Sequence, residues 1–168
     1  MTTAALPDAE QLLDTLAEQI RPLLDDNAAL VGIYSGGAWL AERLQQKLGK
    51  DIPLGTLDIS FYRDDFSRIG LHPQIKPSNI PFDVEDRHIV LVDDVLYTGR
   101  TVRAAMNELF DYGRPAKITL AVLVDRGERE LPINAQAAGI AVTLKKGQNL
   151  ELLRDAAGRL SLKLIEAN

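Results

Sequence analysis

Cysteine is absent from the 168 residues. That removes disulfide scaffolds, zinc knuckles and thiol nucleophiles, and it suits a reducing compartment. Histidine is nearly absent too. His72 and His88 are the only two, and neither has a partner at metal-ligand spacing. His72 reads as a solvated loop residue and His88 as the first residue of a strand. A basic excess is also missing: 19 Lys and Arg stand against 24 Asp and Glu, a net charge of -5. Such a chain exerts no bulk attraction on nucleic acid or an anionic membrane. No apolar run approaches the roughly 20 residues that span a bilayer. The first eight residues carry neither a basic start nor a long apolar stretch, so no secretory signal is read. Glycine-rich dinucleotide and P-loop fingerprints are lacking, as are repeats and low-complexity segments. These absences lead to the expectation of one cytoplasmic domain with no membrane partner.

What is present is an alternation of apolar runs and helical periodicity. The hydrophobic fraction is 46%, a globular value. Leu12, Leu13, Leu16, Ala17, Ile20, Leu23 and Leu24 form one helical stripe, with acidic residues opposite and Pro22 set to end the helix near Arg21. Leu30–Tyr34 reads as a buried strand, followed by Ser35-Gly36-Gly37 and a helix with Leu40, Ala41, Leu44 and Leu48 inward, stopped by Gly49. In that helix Trp39 is expected to pack at the core-facing edge. Further strands are expected over Leu54–Tyr62, Ile89–Val92 and Ile118–Val124, with a helix from about Thr101 to Tyr112 ended by Gly113. Strands apolar on both faces that alternate with helices imply an α/β fold, with a central, mostly parallel sheet covered on both sides. The end of the chain changes character. Leu150–Arg154 and Arg159–Glu166 flank Asp155-Ala156-Ala157-Gly158 and read as a β-hairpin. Residues 63–87, with Gly70, Pro73, Pro77 and Pro81, form an irregular stretch long enough to be a lid or binding loop.

The chemistry sits between His88 and Arg103. A buried strand leads into Asp93 and Asp94. Val95, Leu96 and Tyr97 follow, then Thr98-Gly99-Arg100-Thr101 and a helix start. In open parallel sheets, ligands bind beyond the carboxyl ends of the strands. The first amides of a helix lack internal partners and attract anions. Gly99 allows close backbone approach, and Thr98 and Thr101 add hydroxyls. The arrangement suits a ribose 5-phosphate, with its hydroxyls on the carboxylates and its phosphate on the turn. The alternative is an ordinary helix start with a threonine N-cap and two solvated acids.

Ile89–Thr101 resembles the phosphoribosyl-pyrophosphate signature of the type I phosphoribosyltransferases. With Leu57–Asp65 and Leu123–Gly127 followed by Arg129-Glu130-Leu131-Pro132-Ile133, the chain is similar to the PyrR family, regulators of pyrimidine operons that are also uracil phosphoribosyltransferases. The likeness runs from about Leu30 to Ile133. It implies one phosphoribosyltransferase domain over residues 1–168, with 63–87 as a flexible loop and 125–150 as a small hood on the base side. It also implies the reaction of uracil with phosphoribosyl pyrophosphate to give UMP and pyrophosphate, with Mg²⁺. By position, Asp93 and Asp94 would hold the ribose hydroxyls and reach Mg²⁺ through water. The Val95–Thr101 segment would bind the nucleotide, with Thr98-Gly99-Arg100-Thr101 around the 5′-phosphate. Ser35, Gly36 and Gly37 would face pyrophosphate. Arg63 would meet it from the loop, residues 64–80 would close as a lid, and Arg126 would sit near the base or pyrophosphate. Dimers or larger homo-oligomers are implied as well.

The chain departs from that pattern in three places. Tyr97 stands where 6-oxopurine transferases usually carry an Asp, which favours a pyrimidine. Gly36 stands where relatives commonly have an Arg, which removes a cation from the pyrophosphate loop but leaves its amides. Thr15, Glu18, Glu128 and Asn134 stand where RNA-binding relatives place basic or histidine side chains. Lys145 and Lys146 are the remaining basic pair, and they read as a solvated turn. Phosphate neutralisation supplies most RNA affinity, so RNA is a disfavoured partner. Two alternatives remain beside the uracil enzyme: a catalytically weak UMP-sensing regulator, and a transferase for another base.

Overall fold

The computed structural model describes residues 6–59 and 78–166. Helix α1 (Ala9–Ile20) starts where the Asp8 side chain accepts the Glu10 amide. It gives way to a 3₁₀ turn, Arg21–Leu23, at Pro22, whose missing N–H and fixed φ favour the tighter turn. Strand β1 (Ala28–Ile33) is buried along its whole length. Helix α2 (Gly36–Leu48) follows, capped by Gly49 at φ 157°. The structure then gives β2 (Leu54–Leu57), β3 (His88–Leu96), α3 (Arg100–Tyr112), β4 (Lys117–Asp125), β5 (Ala137–Ala141), β6 (Gln148–Arg154) and β7 (Leu160–Glu166).

Five strands form one parallel sheet in the order β2-β1-β3-β4-β5. The β6–β7 hairpin forms a separate antiparallel pair, with Leu152 opposite Leu162. Its tight connection is closed by Asp155, whose Oδ1 accepts the Ala157 and Arg159 amides. Two apolar layers flank the sheet. One joins α1, α2 and the hairpin, with Leu13, Leu16, Leu40, Leu44, Val90, Leu123, Leu152 and Leu160 buried together. The other lies under α3, with Val31, Ile33, Leu57, Ile89, Leu91, Val122 and Leu109. Alternate side chains of each strand thus serve opposite layers, as the pleat requires.

Several boundaries differ from those expected of the sequence. Strand β3 is nine residues rather than four and runs through both acids to Leu96. It can extend that far because β4 pairs with it to Leu96↔Asp125. Strand β2 ends at Leu57, and Tyr62 lies outside the described residues. The described end of the irregular stretch is fastened down: Asn79 bridges Thr56, and Val84 is buried. Strand β5 is an addition to the expected elements. Ala137-Ala138-Gly139-Ile140-Ala141 has little strand propensity of its own. The edge of β4 on one side and α1 above it impose the conformation, and Gly139 is required because a Cβ there would lie 2.6 Å from the Leu123 carbonyl oxygen.

Candidate active site

The carboxyl ends of β1, β3 and β4 bring three segments together. The first is the start of α2. Gly36 and Gly37 belong to the first turn of that helix, so the connection from β1 is only Tyr34-Ser35, joined by a cis peptide bond. The reason for the two glycines is space, since neither has positive φ. A Cβ on Gly37 would lie 2.3 Å from the Val92 carbonyl oxygen, and a Cβ on Gly36 would lie 2.4 Å from Asp94 Oδ2. The helix start is therefore pressed against β3 beside the acids. Ser35 makes no side-chain cap, so the first amides of α2 have no cap from that residue.

The second segment is the acidic pair. Asp93 is buried at 6% exposure, and Asp94 is half-buried against Gly36. Each accepts a backbone amide at 2.8 Å: Asp93 Oδ1 from Asp94, and Asp94 Oδ1 from Val95. The strand pleat sends neighbouring side chains to opposite faces. The two acids are thus unlike in setting, which the sequence could not distinguish.

The third segment is the β3–α3 turn. The N-cap of α3 is Gly99 at φ 98°, with no side-chain cap bond, so a threonine-capped start is not what forms. Thr98 Oγ1 accepts the Arg100 amide at 3.2 Å. The Thr98 carbonyl accepts the amides of Glu130 and Leu131, which fixes the turn from outside. Arg100 points away and pairs with Glu130 at the surface. Ser35 is likewise exposed.

The loop after β4 frames this turn. Burial works against the charged form of Asp125. The hydrogen bond from Arg129, the Gly127 amide and the Arg129 charge outweigh it, and hold the carboxyl below its usual range. Arg129 also donates to the Tyr97 and Ile133 carbonyls at 3.0 and 2.7 Å. Sequence reasoning gave Arg129 no role of its own. Its one available signal was the four-residue spacing from Asp125. Arg126 is buried, its Cζ 3.8 Å from the centroid of the Tyr97 ring. Tyr97 is 41% exposed and faces this guanidinium. Arg63 and most of the expected lid, 64–80, lie outside the described residues.

Among the described residues, no three His, Cys, Asp or Glu side chains gather around one point. Asp93 and Asp94 offer oxygen donors of the kind a hard divalent cation takes, with water completing its shell. No helix among the described residues is long and apolar enough to cross a membrane.

A parallel sheet whose acid-bearing β3 feeds a glycine-capped α3 has the form of the phosphoribosyltransferase fold. Residues 3–151 match the phosphoribosyl transferase domain family, and the chain belongs to it. Its sequence is 48% identical over 165 residues to the bifunctional protein PyrR of Pseudomonas paraeruginosa, covering 96% of this chain and 97% of that one. It is 52% identical over 160 residues to the bifunctional protein PyrR of Nitrosococcus oceani, covering 94% and 88%. Within the domain family it is a member of the PyrR group. A hypoxanthine phosphoribosyltransferase from Staphylococcus aureus has the same fold, with a TM-score of 0.66 at 19% identity over 85% of this chain and 80% of that one.

Proposed function

We propose that the protein is a uracil phosphoribosyltransferase, taking ribose 5-phosphate from phosphoribosyl pyrophosphate to uracil and releasing UMP and pyrophosphate. The observation that carries this reading is the juxtaposition of Asp94, the α2 start and the glycine-capped α3 turn in a chain so similar to PyrR proteins. The α3 turn, Thr98–Thr101, receives the 5′-phosphate on its amides and threonine hydroxyls. Asp94, with Asp93 behind it, orients the ribose hydroxyls. Ser35, Gly36 and Gly37 receive the departing pyrophosphate on backbone N–H groups. Half-buried Val95 lines the approach, whereas Leu96 is buried in the apolar layer under α3 and serves the site only by packing; Arg126 with Tyr97 forms the base side. Arg63 belongs to the same reading as a cation for pyrophosphate.

The bond from C1′ to pyrophosphate breaks as the bond to uracil N1 forms, and the N1 proton passes to the released pyrophosphate. Positive charge develops on the ribose ring as pyrophosphate leaves. Mg²⁺ held through Asp93 and Asp94 by way of water would neutralise part of the leaving charge. The chain's own part is to fix the sugar by its hydroxyls and phosphate, which is worth much of the barrier when geometry is right. Preset backbone dipoles stabilise the leaving anion. Tyr97 in place of an acid leaves no carboxylate for proton traffic at a purine, which favours the pyrimidine.

The relatives are called bifunctional, which supports a second role beside transfer, and we read that role as regulation that responds to UMP. The outer face of α1 argues against RNA as its partner. Glu18 and Asp14 are exposed there, and the nearby cations are already paired, Arg21 with Glu18, Arg43 with Glu10 and Lys47 with Asp14. A cytoplasmic homo-oligomer completes the reading. Pyrophosphate release from phosphoribosyl pyrophosphate tests it, with uracil and with hypoxanthine, in the native chain and in Asp94→Asn. Uracil turnover lost in the variant supports the proposal. Hypoxanthine turnover exceeding uracil turnover, or release indifferent to the substitution, overturns it.

A further inference from the structure

Among the described residues Arg126 is the best-hidden cation of the site, at 7% exposure. Burying a charge is costly unless it is paired and hydrogen-bonded. The nearest acid in sequence, Asp125, is committed to Arg129 at 2.7 Å. Among the described residues, no carboxylate lies within ion-pair range of Arg126, and its Nε has no acceptor. Two neutral groups hold the guanidinium. The Tyr97 ring lies against it at 3.8 Å, a contact that strengthens when water is excluded. Asn149 Oδ1 accepts from its Nη1 at 2.6 Å. Asn149 belongs to β6, in the hairpin, far along the chain and outside the parallel sheet.

We propose that Asn149 is a positioning residue: it holds the Arg126 guanidinium against Tyr97, so the C-terminal hairpin sets the base side of the nucleotide site. This role rests on the uracil phosphoribosyltransferase reading of that site. A guanidinium has five N–H donors in a fixed plane. One is tied to Asn149 and the Tyr97 ring covers the group, so the remaining donors have a restricted set of directions. An acceptor on the ligand, such as a pyrimidine carbonyl oxygen, then completes a cation that the protein leaves short of acceptors. The hairpin itself is anchored away from the site. Leu152 and Leu160 are buried with α1 and α2, and the Leu160 amide donates to Glu10. Asn149 is exposed and paired across the ladder with Ile165, so changing it leaves the hairpin core intact.

Titration calorimetry with UMP tests the link in the full chain, alongside steady-state kinetics. Asn149→Ala should weaken UMP about tenfold, the scale of one hydrogen bond to a charged group. It should raise KM for uracil by a similar factor, with KM for phosphoribosyl pyrophosphate within twofold of native. Asn149→Asp keeps an acceptor at the same place and should restore UMP binding. In an Arg126→Ala background, Asn149→Ala should add less than twofold. UMP binding by Asn149→Ala within twofold of native, or an undiminished effect in the Arg126→Ala background, overturns the proposal. A thermal-unfolding cycle over the native chain, Asn149→Ala, Arg126→Ala and the double variant reads the contact without any ligand. A coupling of about 4 °C is expected, and additive shifts would refute the contact. Failure of the native chain to bind UMP would instead refute the functional reading, and the unfolding cycle would still decide the link between Asn149 and Arg126.

Discussion

Replacing Gly32 by alanine puts the helix–sheet contact behind the site under direct test. Gly32 lies in β1 beneath the first turn of α2. A Cβ there would lie 2.4 Å from the Gly37 carbonyl oxygen, 2.6 Å from Ala38 Cα and 2.8 Å from the Gly37 carbonyl carbon. All three are backbone atoms, so no rotamer change relieves the overlap. To regain van der Waals distance, α2 must retreat from β1 by about 1 Å. Overpacking of this kind costs about 1–3 kcal/mol, which lowers Tm by roughly 2–12 °C in a domain of this size. The same retreat displaces Ser35, Gly36 and Gly37 from Asp94. A misplacement of about 1 Å at a reacting centre reduces turnover on the order of 100-fold. Gly158→Ala is the matched control. Gly158 has φ 86°, and a methyl group added there would meet nothing within 4 Å. Only local backbone strain of about 1–2 kcal/mol therefore applies, with turnover unchanged. Thermal unfolding and pyrophosphate release measure both quantities. A Gly32→Ala protein within 1 °C of native Tm and within twofold of native turnover would refute the reasoning.

Two further outcomes follow from charge. Glu10 is held below its ordinary pKa by its hydrogen bond to Arg43, against the opposing effect of burial, with the Leu160 amide and the charges of Arg43 and Arg159 assisting. Its folded value is lower than its unfolded one, so its contribution is complete above the ordinary glutamate range and is lost as pH falls through the folded value. Glu10→Gln should therefore narrow the gap between Tm at neutral and at acid pH, and an unchanged Tm–pH curve would contradict this. A gel shift with pyrimidine-operon leader RNA at about 0.15 M salt should show weak or no retardation. Tight, UMP-enhanced binding would show that the acidic face of α1 does not govern RNA affinity.

Periodicity and composition alone determined much of this protein. Short apolar runs at Leu30, Ile89 and Ile118, rich in branched residues and set between helical patterns, read as buried strands, and Pro22, Gly49 and Gly113 ended helices by their own backbone chemistry. The turn at Thr98–Thr101 was legible because acids, glycine and hydroxyls within a few residues make a local site. Other features depend on contacts that sequence does not carry. Strand β5 has alanines where propensity expects branched residues, and it forms because the β4 edge and α1 leave that conformation open to it. The need for Gly36 and Gly37 is set by the distance between α2 and β3, not by their φ. Asp93 and Asp94 look equivalent in the sequence, yet the pleat buries one and leaves the other against the helix start. Asn149 gave no signal at all, since only the folding of the hairpin back over the sheet brings it to Arg126. Local patterns report what neighbours along the chain can do; long-range packing decides which of them meet.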